Sequence, residues 1–422
     1  MNLLAVFVAL VFCYSLVSRT LTRTVVTAPI LFTMAGMATF AALPLTVTGG
    51  GERGPFLTLA ELGLVLLLFT DASHTDLTVL GSIRRLPARL LSAGMLLTIL
   101  LGALCAKLVF PQFSIWEAGI LAAILAPTDA GLGQIIVTSP RVPLRVREAL
   151  NVEAGLNDGL SVPFLLFFIA LAESATSGTR VSLMGFVVEQ LGFGTLVALG
   201  IGLPAGWLLN RAGRSGWMSE SHQQLGVITL PLLCVLASEA VGASMFIAAF
   251  VAGLAVQAGF KEAGRHSVEF TEQSGQLLTL AVFFLFGILV AGAWGEFTWN
   301  LVLYAVLSLT VVRMLPVAVA LIGTRLNRAT VLFLGWFGPR GLASIVLGLV
   351  FLEENTSLPG ESTILLAVMI TALLSIFAHG LSALPGIALY ARSVAGMAPD
   401  APERVGEPVS ATDGGSSASR RR

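Results

Sequence analysis

Asp129, Glu153, Asp158, Arg313 and Arg340 all fall inside stretches that are otherwise apolar. A charge held in hydrocarbon costs at least about 2.5–3.5 kcal/mol on insertion scales, so a retained one is a candidate for function. Asp129 sits in Leu125-Ala126-Pro127-Thr128-Asp129-Ala130-Gly131. Pro127 removes a backbone donor and its ring clashes with the preceding turn; glycines follow at 131 and 133. This predicts a helix interrupted near the middle of its span. Such a break frees carbonyl oxygens and aims helix ends at one point, which suits the ligation of a small hard cation. A plain proline kink, with Asp129 capping the second half-helix, is the simpler alternative, and the two roles are compatible.

The next apolar stretch carries Glu153-Ala154-Gly155-Leu156-Asn157-Asp158-Gly159. Glu153 and Asp158 are five residues apart, about 140° round a helix. One acid can face an ion path while the other faces a different partner. A structural ion pair is expected for Glu153, and a transport role for Asp158. Asn157 adds an amide without a second charge. A second break is predicted at Gly335-Trp336-Phe337-Gly338-Pro339-Arg340-Gly341, which combines Pro339 with a buried arginine. Arg313 lies beside Pro316 with no acid in its own helix. A buried guanidinium calls for a planar carboxylate, and Glu153 is the expected partner, with Arg340 as the substitute. Three acids against two arginines leave one negative charge if all are ionised. A buried site disfavours net charge, so one cation, H+ or Na+, would neutralise it. Proton and metal ion would then compete for the same oxygens.

The elements that must position these groups are membrane helices. The chain of 422 residues is 56% hydrophobic and only 11% charged, with a mean hydropathy of +0.89; soluble domains carry roughly 25% charge. Apolar stretches recur along nearly the whole sequence, each near the ~20 residues that cross a bilayer. Unbroken runs such as Leu62–Phe69 contradict the alternating ~10-residue segments of a β-barrel. The first run begins at Asn2 with no basic residue before it and arginines after it. That order is the reverse of a cleaved signal peptide, so it counts as a span. The expected fold is all-α and polytopic, with about thirteen transmembrane helices.

Lys and Arg divide the loops unequally. Nineteen of the 24 fall after odd-numbered spans and in the tail, three (Arg53, Lys107, Arg180) near even-numbered loops, and the remaining two are Arg313 and Arg340. The positive-inside rule then puts the N-terminus outside and the C-terminus in the cytoplasm of a cell membrane. The two interrupted spans are the fifth and the twelfth, an odd offset that reverses direction. Two inverted six-helix repeats follow, one at about 1–171 and one at about 222–390, joined by a connector at 183–209 within a transmembrane domain of 1–392. Residues 393–422, rich in Pro, Gly, Ser and Ala, read as a disordered cytoplasmic tail.

Equal numbers of basic and acidic residues leave no electrostatic footprint for nucleic acid. Cys13, Cys105 and Cys234 stand singly, without metal or redox spacing. No cofactor is expected. His379, deep in the last span, is either a proton sensor or a satisfied structural histidine.

Ala126-Pro127-Thr128-Asp129, the segment from Glu153 to Asn157-Asp158, and Gly338-Pro339-Arg340-Gly341 together resemble the NhaP-type sodium/proton exchangers of the monovalent cation:proton antiporter superfamily. The resemblance extends to Leu68-Phe69-Thr70-Asp71-Ala72-Ser73 and His379-Gly380. It implies a homodimer among membrane lipids and a mobile core of crossed, interrupted helices. It implies that Asp158 carries the ion and the proton, that Asp129 and the Thr128 carbonyl assist as metal ligands, and that Asn157 orients them. Glu153 with Arg313 would brace the core. Ala154 stands where these proteins often have Ser or Thr, so one side-chain oxygen is absent.

The expected activity is therefore electroneutral Na+/H+ antiport by alternating access, with Li+ and K+ as further candidate ions. Potassium/proton antiport on the same fold is the nearest alternative. A different class is intramembrane hydrolysis, with Asp129 and Asp158 as a dyad; that chemistry gives the paired breaks no role.

Overall fold

The computed structural model describes residues 2–21, 24–43, 50–74, 85–177, 185, 192–259, 264–354, 356, 358–398 and 401–404. Among the described residues every regular element is helical. Of the residues used to orient the chain, Arg23, Arg84, Arg180, Lys261 and Arg420 to Arg422 lie outside the described residues.

The helices run, in chain order, α1 Asn2–Leu21, α2 Ala28–Ala42 and α3 Gly50–His74. Next comes α4, made of Arg85–Arg89, a π-helical turn Leu90–Gly94 and Met95–Val109. The first interrupted pair is α5 Ile115–Ile124 and α6 Ala130–Val137, followed by the long α7 Leu144–Ser177. Then come α8 Gly194–Arg214, α9 Glu220–Val241, α10 Met245–Gly259 and α11 Gly264–Gly292. A split span, α12 Trp299–Leu309 and α13 Val311–Ala320, precedes the second interrupted pair, α14 Arg328–Trp336 and α15 Leu342–Glu353. The series ends with α16 Glu361–Ala395. Among the described residues seven helical stretches are long and apolar enough to cross a membrane. The expected thirteen is not fixed by that count, because interrupted helices fall below the length of a span.

Order repeats within this series. An irregular helix, an interrupted pair and a long helix occur as α4, α5/α6, α7 and again as α12/α13, α14/α15, α16. Around each break small and apolar residues are fully buried, among them Ala123, Leu125, Ala126, Leu342 and Ala343. Toward the periphery Phe12, Leu16, Leu104, Leu108, Trp207 and Trp299 are exposed. Helices satisfy their own backbone, so such faces can lie against lipid.

Two irregularities were not expected. The span at 297–323 is split at Thr310, whose φ of −109° and ψ of −87° interrupt the helix. Its hydroxyl bonds Val306 O at 2.6 Å, a back-bond that bends helices. The π-turn in α4 faces α13, where Arg89 Nη1 donates to Ala320 O at 3.3 Å and to Ile322 O at 2.6 Å. Ordered structure continues past residue 393. Helix α16 continues to Ala395, and Pro402–Arg404 form a 3-10 turn. There Glu403 is buried, accepting Asn327 N–H at 2.7 Å and Thr330 Oγ1–H at 3.0 Å. The first turn of α14 supplies those donors and orders the segment.

Candidate functional site

Each interrupted span stops and restarts for a local reason. Helix α5 opens with a capping box: Ser114 Oγ accepts Glu117 N–H at 3.1 Å, and Glu117 Oε2 accepts Ser114 N–H at 2.7 Å. It ends before Pro127, and α6 restarts at Asp129, whose Oδ1 accepts Leu132 N–H at 3.0 Å. Helix α14 starts from Asn327, whose side chain accepts Ala329 N–H. It stops before Gly338-Pro339, and α15 restarts at Gly341, which has no side chain to cap with.

Asp129 supplies the missing cap. Its Oδ2 accepts Leu342 N–H at 2.5 Å, so one carboxylate closes the N-termini of both α6 and α15. Asp129 N–H donates to Pro339 O at 2.9 Å, joining the two breaks backbone to backbone. A Cβ on Gly341 would fall onto the Asp129 carboxylate, 2.8 Å from its Cγ. Only glycine permits this approach. The positive ends of two helix dipoles thus converge on one negative group.

At the opposite polarity sits Arg340, fully buried. Its Nη1 donates to Ala126 O at 3.0 Å and Pro127 O at 2.8 Å, the carbonyls that the proline break releases at the end of α5. Arg340, named as the substitute partner, makes no ion pair with Glu153. Its Nη1 serves carbonyls, because the break places uncompensated acceptors within its reach. The ion pair is formed by Glu153 and Arg313, through Nη1–Oε1 at 2.6 Å and Nη2–Oε2 at 3.0 Å. Arg313 Nη2 also approaches Leu334 O at 3.5 Å. Its guanidinium lies against Gly338, where a Cβ would stand 2.6 Å from Arg313 Cζ.

Thr128 and Asn157 form a closed ring. Thr128 N–H donates to Asn157 Oδ1 at 3.2 Å, and Asn157 Nδ2–H donates to Thr128 Oγ1 at 2.7 Å. Asn157 therefore fixes the break residue to α7. Asp158, next in the chain, is half-buried on the same helix. Leu150, Ala154 and Asp158 recur every four residues and share one helix face. A small cavity reaches Thr128, Asp129, Leu150, Ala154, Phe337 and Pro339. The methyl of Ala154 lines it where a hydroxyl would add an oxygen. Among the described residues no group of three or more His, Cys, Asp or Glu is arranged to hold a metal ion. The cysteines Cys13, Cys105 and Cys234 are free.

His379 and Ser375 acquire their partners only in the fold, and nothing in the sequence around Ser375 marks it as polar machinery beyond the Ser-x-x-x-His spacing on α16, which puts both on one face. Both lie at the second break.

The family model described as "Sodium/hydrogen exchanger, transmembrane" matches residues 3–385. A Na(+)/H(+) antiporter of Schizosaccharomyces pombe is 26% identical over 336 residues, covering 74% of this chain and 70% of that protein. The K(+)/H(+) antiporter NhaP2 of a Shewanella species is 26% identical over 282 residues, 63% of this chain and 46% of that protein, so this chain spans less than half of the latter's length. Among solved structures, the sodium proton antiporter MjNhaP1 of Methanocaldococcus jannaschii at pH 8 superposes with a TM-score of 0.77. That match covers 94% of this chain and 99% of MjNhaP1 at 18% identity, which establishes a shared fold. A match from residue 3 to residue 385, on a fold shared along nearly its whole length, places the chain in the transmembrane sodium/hydrogen exchanger family, whose members are transporters.

Proposed function

We propose that this protein exchanges a monovalent cation, Na+ first among them, for H+ by alternating access. The observation that carries this is the meeting of two helix breaks around Asp129 beside α7, the helix that bears Asp158. Asp129 accepts N–H bonds at both oxygens, as an ionised carboxylate does, and its charge is matched by two helix N-termini. Asp158 is then the group left to alternate between H+ and cation. The Thr128 carbonyl, steadied by Asn157, would complete the ligand set. Glu153 and Arg313 neutralise one another and brace the core. One negative charge in the site is balanced by one proton or one cation, so the cycle is electroneutral. The repeated helix order supports inverted repeats at about 1–171 and 222–390, and the biased arginines support a cytoplasmic C-terminus in a cell membrane. A homodimer belongs to the same reading.

Potassium is the second candidate. A similar relative named as a K(+)/H(+) antiporter favours it. Purified protein in proteoliposomes carrying a pH-sensitive dye distinguishes them. Added Na+, Li+ or K+ should release or take up protons. Proton movement with K+ alone would reassign the cargo, and none with any cation would overturn exchange.

A further inference from the structure

The two breaks create four half-helix ends. Both N-termini share Asp129, and the carbonyl end of α5 meets Arg340. The fourth end is the carbonyl terminus of α14, and a histidine outside the proposed ion path closes it. His379 Nε2 lies 2.9 Å from Trp336 O. A carbonyl can only accept, and of the two ring nitrogens only Nδ1 also faces a hydroxyl that can donate, so a neutral ring carries its hydrogen on Nε2. On the other side, His379 Nδ1 lies 3.0 Å from Ser375 Oγ and 3.0 Å from Ser375 O. Ser375 Oγ already accepts Arg340 N–H at 2.6 Å, leaving its own hydrogen for Nδ1. A neutral imidazole thus completes an unbroken chain: Arg340 N–H to Ser375 Oγ, Ser375 Oγ–H to Nδ1, and Nε2–H to Trp336 O. That chain spans the second break from its last helical carbonyl to the first amide beyond Pro339. His379 is 2% exposed, and its ring packs at a tilt of 34° against Trp336 with centroids 5.1 Å apart. With Arg313 and Arg340 buried nearby, a third cation in this region would be unfavourable, which also supports the neutral form.

We propose that neutral His379, acting through Ser375, is a positioning residue that sets the second helix break, and with it Arg340, in register with the Thr128–Asp129 break. The inference rests on the exchange function above. Arg340 is the coupling element, since its amide is held by Ser375 while its side chain holds Ala126 O and Pro127 O, next to Thr128. Loosening the clamp should therefore displace cation ligands that His379 never touches.

The test is Na+-dependent proton flux in proteoliposomes for wild type, His379→Ala, His379→Gln and Ser375→Ala, each first checked for a monodisperse folded species. The glutamine amide can reach Trp336 O with an N–H and partly replace the ring. We expect His379→Ala to raise the KM for Na+ about tenfold, the effect of one lost buried pairing, with a smaller change in kcat. His379→Gln should recover most of that loss. Ser375→Ala should raise KM similarly and add little to His379→Ala in the double variant. Unchanged KM in folded His379→Ala, or independent multiplying effects of the two substitutions, would overturn the positioning role. A kcat loss without a KM change would do the same. Absence of flux in wild type would instead overturn the exchange function, so the two failures are distinct.

Discussion

Removing one partner of the Glu153–Arg313 pair tests the energetics of the core directly. Glu153 is 2% exposed and Arg313 4% exposed, with both carboxylate oxygens engaged at 2.6 and 3.0 Å. Arg313→Met leaves an ionised carboxylate buried without compensation, and Glu153→Gln leaves a guanidinium in the same position. Breaking such a pair costs roughly 3–5 kcal/mol, or about two to three and a half decades in the folding equilibrium. Arg313 also fills the space that Gly338 leaves open, so its loss removes packing against the second break. Replacing both members together, Glu153→Leu with Arg313→Met, removes both uncompensated charges. Apolar replacement of a whole buried pair is often close to neutral. Additivity would predict roughly 6–10 kcal/mol for the double variant; the ion pair predicts far less, with a coupling above about 3 kcal/mol. The measurement is reversible unfolding in mixed micelles by detergent titration, followed by tryptophan fluorescence. Single variants within about 1 kcal/mol of wild type, or a double variant as unstable as the sum, would refute the brace.

Asp158→Asn should abolish cation-dependent proton movement in proteoliposomes while the protein still inserts and folds, because an amide releases no proton. Substantial exchange in that variant would remove Asp158 from the centre of the mechanism. Electroneutrality predicts that the sodium gradient nulling proton flux equals the proton gradient at either sign of membrane potential. A potential acts at about 2.3 kcal/mol per charge per 100 mV, so a null point that shifts with voltage would mean that net charge is moved. Where K+ proves to be a substrate, the potential must be set with another permeant ion. Gly341→Ala should inactivate exchange, since the added methyl meets the Asp129 carboxylate; near-normal flux would mean that the shared cap is dispensable.

The sequence by itself determined the solvent, the helical secondary structure and the two places where helices break at a proline. Those follow from hydropathy and from Pro127 and Pro339, whose missing N–H and bulky ring act within one turn of chain. It also singled out the buried charges, because each is costly in hydrocarbon whatever its partner. What those charges touch is another matter. Arg340 was expected near a carboxylate, yet it serves the carbonyls of Ala126 and Pro127, more than two hundred residues away along the chain. Asp129 could be read as the cap of α6 from its position, but nothing local shows that it also caps α15. The break at Thr310 and the π-turn at Leu90–Gly94 carry no Gly-Pro signal. They lie where α4 and α13 pack, with Arg89 reaching across to Ala320 and Ile322. His379 remained ambiguous for the same reason, since an imidazole takes its role from the donors and acceptors around it. Proline breaks are local events written in residue type, whereas the partner of a freed carbonyl or a buried charge is chosen only when distant helices pack together.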